Sequence, residues 1–128
     1  MMKHPLLTIA LMTAIAPFAV AQNDSPVYNQ CMQTAQTTLD MNNCNGAEIE
    51  RQDARLNSAY KKAKAALEPA QQTQLLDAQR LWIKYRDANC KLYYSLTGGT
   101  IDQLNGAGCV LEMTKARADE LLKLSEPT

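Results

Sequence analysis

Residues 78–90 read Ala-Gln-Arg-Leu-Trp-Ile-Lys-Tyr-Arg-Asp-Ala-Asn-Cys, and their apolar side chains recur at helical spacing. The pattern extends outward to about residues 70–94. It ends on the N-terminal side at Glu68-Pro69, because the residue before a proline is disfavoured in helical conformation. The alternative for Trp82 and Tyr85 is an exposed ligand platform. The spacing predicts a helix over 70–94 whose core face is formed by Leu75, Ala78, Trp82, Tyr85, Asn89 and Tyr93.

On both sides of this helix the sequence predicts further helices and no strand. Thr37 and Asp40 have the spacing of a capping box, which starts a helix. Asn45-Gly46 weakens that helix, so a break there stays open. Residues 95–107 are predicted to be the one long, glycine-rich loop. The fold class predicted is all-α, a small antiparallel helical hairpin or bundle with four helices over about 27–35, 38–67, 70–94 and 108–124.

The four cysteines, Cys31, Cys44, Cys90 and Cys109, are predicted to form two disulfides. Cys31 and Cys44 lie at similar distances on either side of Thr37, where the first two helices turn. Cys90 and Cys109 flank the predicted loop in the same way. Local pairing, 31 with 44 and 90 with 109, therefore needs the least rearrangement, and each bridge is worth about 3 kcal/mol. A zinc site is the alternative, but the chain has no Cys-x-x-Cys spacing.

The N-terminal segment has the pattern of a secretory signal peptide. A basic start at Lys3 precedes an apolar run over 6–20, and Ala19-Val20-Ala21 provides the small residues that signal peptidase requires. The alternative is a membrane anchor, but about 15 residues are fewer than the roughly 20 that span a bilayer. The sequence therefore predicts a signal peptide over 1–21, a single domain over 22–128, and a periplasmic or secreted location without a membrane span after cleavage.

The composition argues against several classes of function. Signal cleavage removes the single histidine and one lysine, which leaves 12 basic against 13 acidic residues. A nucleic-acid partner is not expected without a basic excess. No catalytic residue, metal or cofactor is expected, because the commonest general base is absent and the cysteines are committed to disulfides. Clustered carboxylates at Glu48, Glu50 and Asp53 are the enzymatic alternative, and ion pairs with Arg51 and Arg55 are the structural one.

Four polar residues are predicted to lie on or beside the core faces of different helices: Asp53, Asn57, Arg86 and Arg117. An unpaired buried charge costs several kcal/mol, so each arginine needs an acceptor. Asp53 is the expected acceptor for Arg86 or Arg117. The predicted result is a polar clamp that fixes helix register, and a binding role is the alternative.

The candidate surface for a partner is the predicted loop with the residues before it. Tyr93 and Tyr94 are aromatic, and aromatic side chains are favoured anchors at interfaces. Gly98 and Gly99 lie in the loop itself, and loops carry binding more often than packed faces do. The alternative is an ordinary connector without function.

Over about residues 28–124 the chain resembles the LprI-like lysozyme inhibitor family, of the N-terminal domain type. The most specific part is Gln79-Arg80-x-Trp82-Ile83-x-Tyr85-Arg86-Asp87-x-x-Cys90. Asn45-Gly46 departs from the alanine-rich stretch common in the family. The other matching motifs are Cys31, Thr37-x-x-Asp40-Met41-Asn42-x-Cys44, Ala54-x-Leu56-Asn57-x-x-Tyr60, Gly98-Gly99, Cys109 and Thr114-x-x-Arg117.

The resemblance implies an exported, disulfide-bonded, all-helical envelope protein whose partner is a protein, with lysozyme as the candidate. It maps no inhibitory residue onto this chain. A net charge near −1 adds little attraction for a cationic lysozyme. The function predicted is lysozyme inhibition by binding and steric occlusion. The alternative is a non-catalytic accessory or structural protein that binds another periplasmic protein, and the oligomeric state stays open.

Overall fold

A computed structural model describes residues 24–126, in which four helices and no strand are found. The predicted all-α class with four helices is therefore confirmed. The predicted signal peptide lies outside the described residues. None of the helices in the described range has the length and apolarity needed to cross a membrane. The helices are α1 (Pro26–Thr34), α2 (Thr38–Ala65), α3 (Pro69–Tyr93) and α4 (Ile101–Leu124).

Local sequence signals set the starts of three helices. Ser25 caps α1, because its Oγ accepts a hydrogen bond from the amide of Tyr28. The predicted capping box of α2 is present: Thr37 Oγ1 accepts from the Asp40 amide, and the Asp40 carboxylate accepts from the Thr37 amide. Pro69 occupies the first position of α3, where its missing N–H leaves no helical hydrogen bond unmade.

The second helix runs through Asn45-Gly46 without a break. Gly46 is exposed, and a Cβ added there would meet nothing within 4 Å. Its neighbour Asn45 is buried, and the Asn45 Oδ1 accepts a hydrogen bond of 2.8 Å from the Tyr28 hydroxyl on α1. The buried residues before and after the glycine, Asn45 and Glu48, thus hold the helix together despite the low helix propensity of glycine.

The hydrophobic core lies mainly between α2 and α4. Small side chains at Ala59, Ala63 and Ala118 let these two helices approach closely, and Leu56 and Leu121 fill the space beside them. Helix α4 also packs against α3, whereas α1 packs against α2. Helix α4 is therefore the element that joins the α1–α2 pair to α3.

The predicted disulfide pairing is confirmed. Cys31 is bonded to Cys44 and Cys90 to Cys109, so no cysteine is free. The first bridge ties α1 to α2, and the second ties the end of α3 to α4. The α1–α2 pair and the α3–α4 pair thus each have one covalent link.

The prediction of a long loop over 95–107 is wrong. Helix α4 begins at Ile101, so the connection spans only residues 94–100. Gly106 and Gly108 lie inside α4. A helix continues through glycines when packing compensates for their propensity, and Gly106 and the neighbouring Ala107 are buried.

The core face predicted for α3 is wrong in part. Leu75 is buried and Trp82 packs against the core, but Tyr85 is 62% exposed, and Ala78 and Tyr93 are exposed as well. Tyr85 lies about 60° around the helix from Trp82 at 100° per residue. That rotation carries it away from α4 and into solvent.

Candidate functional site

The connection between α3 and α4 is a short turn held by one carboxylate. Asp102 lies in the first turn of α4 and is 2% exposed. Its oxygens accept hydrogen bonds from the amide of Thr97 at 3.1 Å, from the Thr97 hydroxyl at 2.8 Å and from the amide of Gly98 at 2.8 Å. The Thr97 hydroxyl oxygen also accepts from the amide of Gly99 at 3.1 Å. The turn is therefore a fixed structure.

The same hydrogen bonds keep Asp102 ionised. Burial alone would raise the pKa of its carboxyl, but the donors on Thr97 and Gly98 stabilise the charged form and lower the pKa below its ordinary value. The carboxylate thus accepts these bonds throughout the neutral pH range.

The four residues predicted as a partner contact, Tyr93, Tyr94, Gly98 and Gly99, lie together in residues 93–101, which we call the turn region. Tyr93 and Tyr94 are 39% and 40% exposed. Gly98 has a φ of +76°, a left-handed conformation that favours glycine. The proximity of these four residues is a fact of the structure, and their role stays a proposal.

A glycine inside α4 fixes the position of Tyr94. A Cβ added at Gly106 would fall onto the Tyr94 ring, at its Cγ and Cδ atoms. The ring therefore packs directly against the backbone of α4, which only a residue without a side chain allows. The Cys90–Cys109 disulfide links the same two helices nearby.

Apolar side chains extend this surface. Leu96 and Ile101 are each about half exposed and lie in the turn region. With Tyr93 and Tyr94 they place four large, partly exposed side chains within nine residues. Exposed apolar side chains that form a patch mark interaction sites, whereas isolated ones are ordinary.

The predicted pairing of Asp53 with an arginine is wrong. Arg86 donates to Asp87 at 3.0 Å and to Thr114 Oγ1 at 3.4 Å, and its guanidinium lies 5.1 Å from the centre of the Trp82 ring. Asp87 and Trp82 lie on α3 and Thr114 lies on α4, so Arg86 does not need an acceptor on α2.

Arg117 likewise has other acceptors. Its Nε donates to Gln79 Oε1 at 2.9 Å and its Nη1 to Glu120 at 2.8 Å. Register between α3 and α4 is therefore fixed by Gln79, which is buried, and not by Asp53.

Asp53, Asn57 and Arg86 nevertheless lie along one open groove between α2 and α3, of about 400 Å³. Leu76 and Ile83 form part of its apolar lining. Three of the four residues predicted as a polar network thus share a surface, while Arg117 lies on the α4 side. The groove carries mixed charge and no partner for Asp53 among the described ion pairs.

A buried polar cluster joins the N-terminal segment to α2 and α4; the expected ion pair of Glu48 with Arg51 is part of it, but its burial and its link to Ser25 were not predicted. Glu48 is fully buried; its carboxylate accepts from Ser25 Oγ at 2.5 Å, Arg51 Nε at 2.9 Å and Gln52 Nε2 at 2.9 Å. We call the cluster the polar junction, and define it by Asp24, Ser25, Glu48, Gln52 and Lys115.

The second charge of the polar junction is Lys115 on α4. Its ammonium donates to Asp24 at 2.5 Å and to Glu112 at 3.0 Å. Arg55 reaches across from α2 to Asp119 at 2.8 Å. A signal was present in the sequence: Glu48 and Gln52 continue the four-residue spacing of Leu56, which places them on the core face.

Paired partners keep these buried groups charged. Burial raises the pKa of Glu48, but the bonds donated by Ser25, Gln52 and Arg51 outweigh it and lower the pKa. Burial lowers the pKa of Lys115, and the bonds to Asp24 and Glu112 outweigh it and raise the pKa. The cluster therefore serves to hold α1 and α4 on α2.

Metal-binding groups are not brought together in this part of the chain. Between residues 24 and 126, no three side chains of the types His, Cys, Asp and Glu are clustered as metal ligands.

These features define a class of protein: a small helical domain with two disulfides, a charged junction at one side and an ordered, aromatic turn. The family model described as "Lysozyme inhibitor LprI" matches residues 29–121. The chain belongs to the LprI lysozyme inhibitor family. An uncharacterized protein of Rhizobium meliloti (strain 1021) is 32% identical over 136 residues, covering 95% of this chain and 94% of the relative. No solved structure matches the chain.

Proposed function

We propose that this chain is an exported inhibitor that binds a lysozyme-type muramidase and blocks access to its substrate cleft, with the turn region as the contact surface. Family membership supports lysozyme as the target. The observation that carries the choice of surface is the turn itself. Tyr93, Tyr94 and Leu96 are exposed there, directly before the Thr97-Gly98 backbone that Asp102 holds in place.

An ordered turn favours binding because little conformational entropy is lost when the complex forms. The amides of Thr97 and Gly98 are already bonded to Asp102, and the Tyr94 ring is already packed on Gly106. Tyrosine adds a large apolar surface and a hydroxyl group at low entropic cost, which makes it a frequent anchor in interfaces. Steric occlusion of a cleft needs no catalytic group.

The proposed export is supported by the two disulfides. Both Cys31–Cys44 and Cys90–Cys109 are bonds that form and persist in oxidising compartments such as the periplasm. Lysozyme attacks the cell wall on that side of the membrane, so inhibitor and target would meet there.

An inhibition assay tests this proposal. The purified chain, residues 22–128, is added to c-, g- and i-type lysozymes, and lysis of cell walls is followed together with direct binding. We expect inhibition of at least one type at micromolar protein. Tyr93→Ser combined with Leu96→Ser should weaken inhibition by about tenfold or more, since interface anchors dominate affinity.

Leu124→Ser is the matched control, because Leu124 is similarly exposed but ends α4 at the far side from the turn region. It should inhibit like the parent chain. Absence of inhibition of every lysozyme type contradicts the proposal. Co-purification with a different envelope protein, with lysozyme unaffected, would instead favour the accessory role.

A further inference from the structure

The outer face of α3 carries an exposed apolar stripe that the fold does not use. Leu81, Tyr85 and Leu92 are 66%, 62% and 59% exposed, and Ala78 and Ala88 are exposed between them. We call these five residues the α3 stripe. Their spacings alternate between three and four, which is the seam of a two-helix coiled coil.

The stripe is distinct from the face that α3 packs into the core. Leu75, Gln79 and Cys90 are the buried residues of α3. At 100° per residue they lie about 100° to 160° around the helix from the centre of the stripe. No other helix of the described chain covers the stripe, and burying three large apolar side chains would be favourable.

The order of side chains along the stripe is self-complementary in size. When two copies of α3 run antiparallel with a two-fold axis near Tyr85, Leu92 of one copy faces Ala78 of the other. Leu81 then faces Ala88, and the two Tyr85 rings lie beside each other at the axis. Large residues thus oppose small ones in every layer except the central one, as interdigitating helices require.

The charges beside the stripe follow the same symmetry. Asp77 and Lys91 lie on one edge of it, seven residues to either side of Lys84. Neither forms a salt bridge within residues 24–126. In the antiparallel arrangement Asp77 of each copy faces Lys91 of the other, which gives two equivalent ion pairs.

We propose that the occupant of the α3 stripe is a second copy of this chain, packed as an antiparallel, two-fold symmetric α3–α3 dimer. The two turn regions then lie at opposite ends of the dimer interface, so each stays open to a partner. The dimer does not rest on the lysozyme proposal, and either can fail without the other.

The size of the stripe predicts a reversible dimer. From Ala78 to Leu92 it is about 21 Å long at a rise of about 1.5 Å per residue, and a helix is about 10 Å wide. This area is smaller than the roughly 800 Å² per partner of a standard stable interface. Dimer formation should therefore depend on concentration, with dissociation in the micromolar range or weaker.

Sedimentation equilibrium of residues 22–128 at low salt, from about 1 to 500 μM, tests the oligomeric state. We expect a monomer–dimer equilibrium. Leu81→Ser with Tyr85→Ser should raise the dissociation constant by about tenfold or more, since these residues are central. Leu39→Ser is the control: Leu39 is 68% exposed but lies on a different helix, α2, and its substitution should leave the equilibrium unchanged. Far-UV circular dichroism checks that each variant is folded.

Charge reversal tests the antiparallel register. Asp77→Lys alone and Lys91→Asp alone place like charges opposite each other and should each weaken the dimer about threefold or more. The double variant restores both pairs and should return the constant to within about twofold of the parent. These effects should shrink in high salt, because surface pairs are screened.

A monomer at every concentration overturns the proposal. So does a dimer that the stripe variants leave unchanged, or one that both single reversals weaken without recovery in the double variant. Inhibition of lysozyme by a purely monomeric chain would leave the proposed function intact while the dimer is rejected.

Discussion

The polar junction and the outer face of α3 reverse the usual distribution of side chains. At the polar junction, Glu48 and Lys115 are charged and buried. On the outer face of α3, Leu81 and Tyr85 are apolar and more than 60% exposed. Both arrangements are unfavourable until each group finds partners, and the two regions differ in where those partners are.

The partners of the polar junction lie within the chain. Every oxygen of the Glu48 carboxylate accepts a bond, and the Lys115 ammonium has two carboxylate acceptors. No such compensation covers the α3 stripe within the described chain. The difference indicates that the junction maintains the fold, whereas the outer face of α3 and the turn region are the surfaces for which we propose association.

The largest contrast should appear when leucine is replaced by alanine in the core and on the α3 stripe. Leu121→Ala removes a side chain with 0% exposure from the α2–α4 core, and we expect a loss of about 3 kcal/mol in the free energy of unfolding. Leu81→Ala on the stripe should change it by less than about 0.5 kcal/mol. Urea unfolding followed by circular dichroism, at a concentration where the chain is monomeric, measures both values.

An equal loss for the two variants would contradict this division of the molecule. A large loss for Leu81→Ala in the monomer would mean that α3 packs with its outer face inward. If the two variants lose equal stability only at high protein concentration, the result would instead reflect association, because burial in a dimer stabilises the folded chain.

A smaller effect should come from the charge of Glu48. Its pKa is lowered in the folded protein from an ordinary value of 4.5. A carboxyl with a depressed folded pKa adds stability above its unfolded pKa, and this stability is lost as the pH falls through the folded value. We therefore expect Glu48→Gln to lose about 2 kcal/mol at pH 7, as for hydrogen bonds to a charged group. The difference in the free energy of unfolding between this variant and the parent chain should narrow below about pH 4.5. Urea unfolding at pH 7 and at pH 3.5 measures it.

Glu50→Gln is the matched control, since Glu50 is exposed on the same helix two residues away. It should change stability by less than about 0.5 kcal/mol at pH 7. A Glu48→Gln gap of the same size at both pH values would show that the lost stability comes from packing and not from ionisation.

The sequence was sufficient for features that depend on neighbours along the chain. The capping box at Thr37, the stop before Pro69 and the local pairing of the cysteines all follow from spacing, and the structure confirms them. The start of α4 could not be predicted in this way. Gly106 lies inside α4, and the Tyr94 ring occupies the space that a Cβ at this position would fill. That contact depends on the relative position of α3 and α4.

The candidate site was predictable to the same extent. Tyr93, Tyr94, Gly98 and Gly99 do lie together, because they are close in sequence. The acceptors of Arg86 and Arg117 were not predictable, since the choice between Asp53 and Gln79 depends on which helices touch. Helix periodicity gives the face of a residue but not its partner.

The smallest expected effect separates two glycines that both lie inside helices, Gly46 and Gly106. Gly46→Ala in α2 adds a methyl group in open space and should stabilise the chain by about 1 kcal/mol through helix propensity. Gly106→Ala in α4 places that group on the Tyr94 ring, so the ring must move and the gain should be lost. Thermal unfolding measures the two stabilities. If the turn region binds lysozyme, Gly106→Ala should also weaken inhibition while Gly46→Ala leaves it unchanged. Equal stabilisation with full inhibition in both variants would mean that the packing of Tyr94 on α4 does not order the turn.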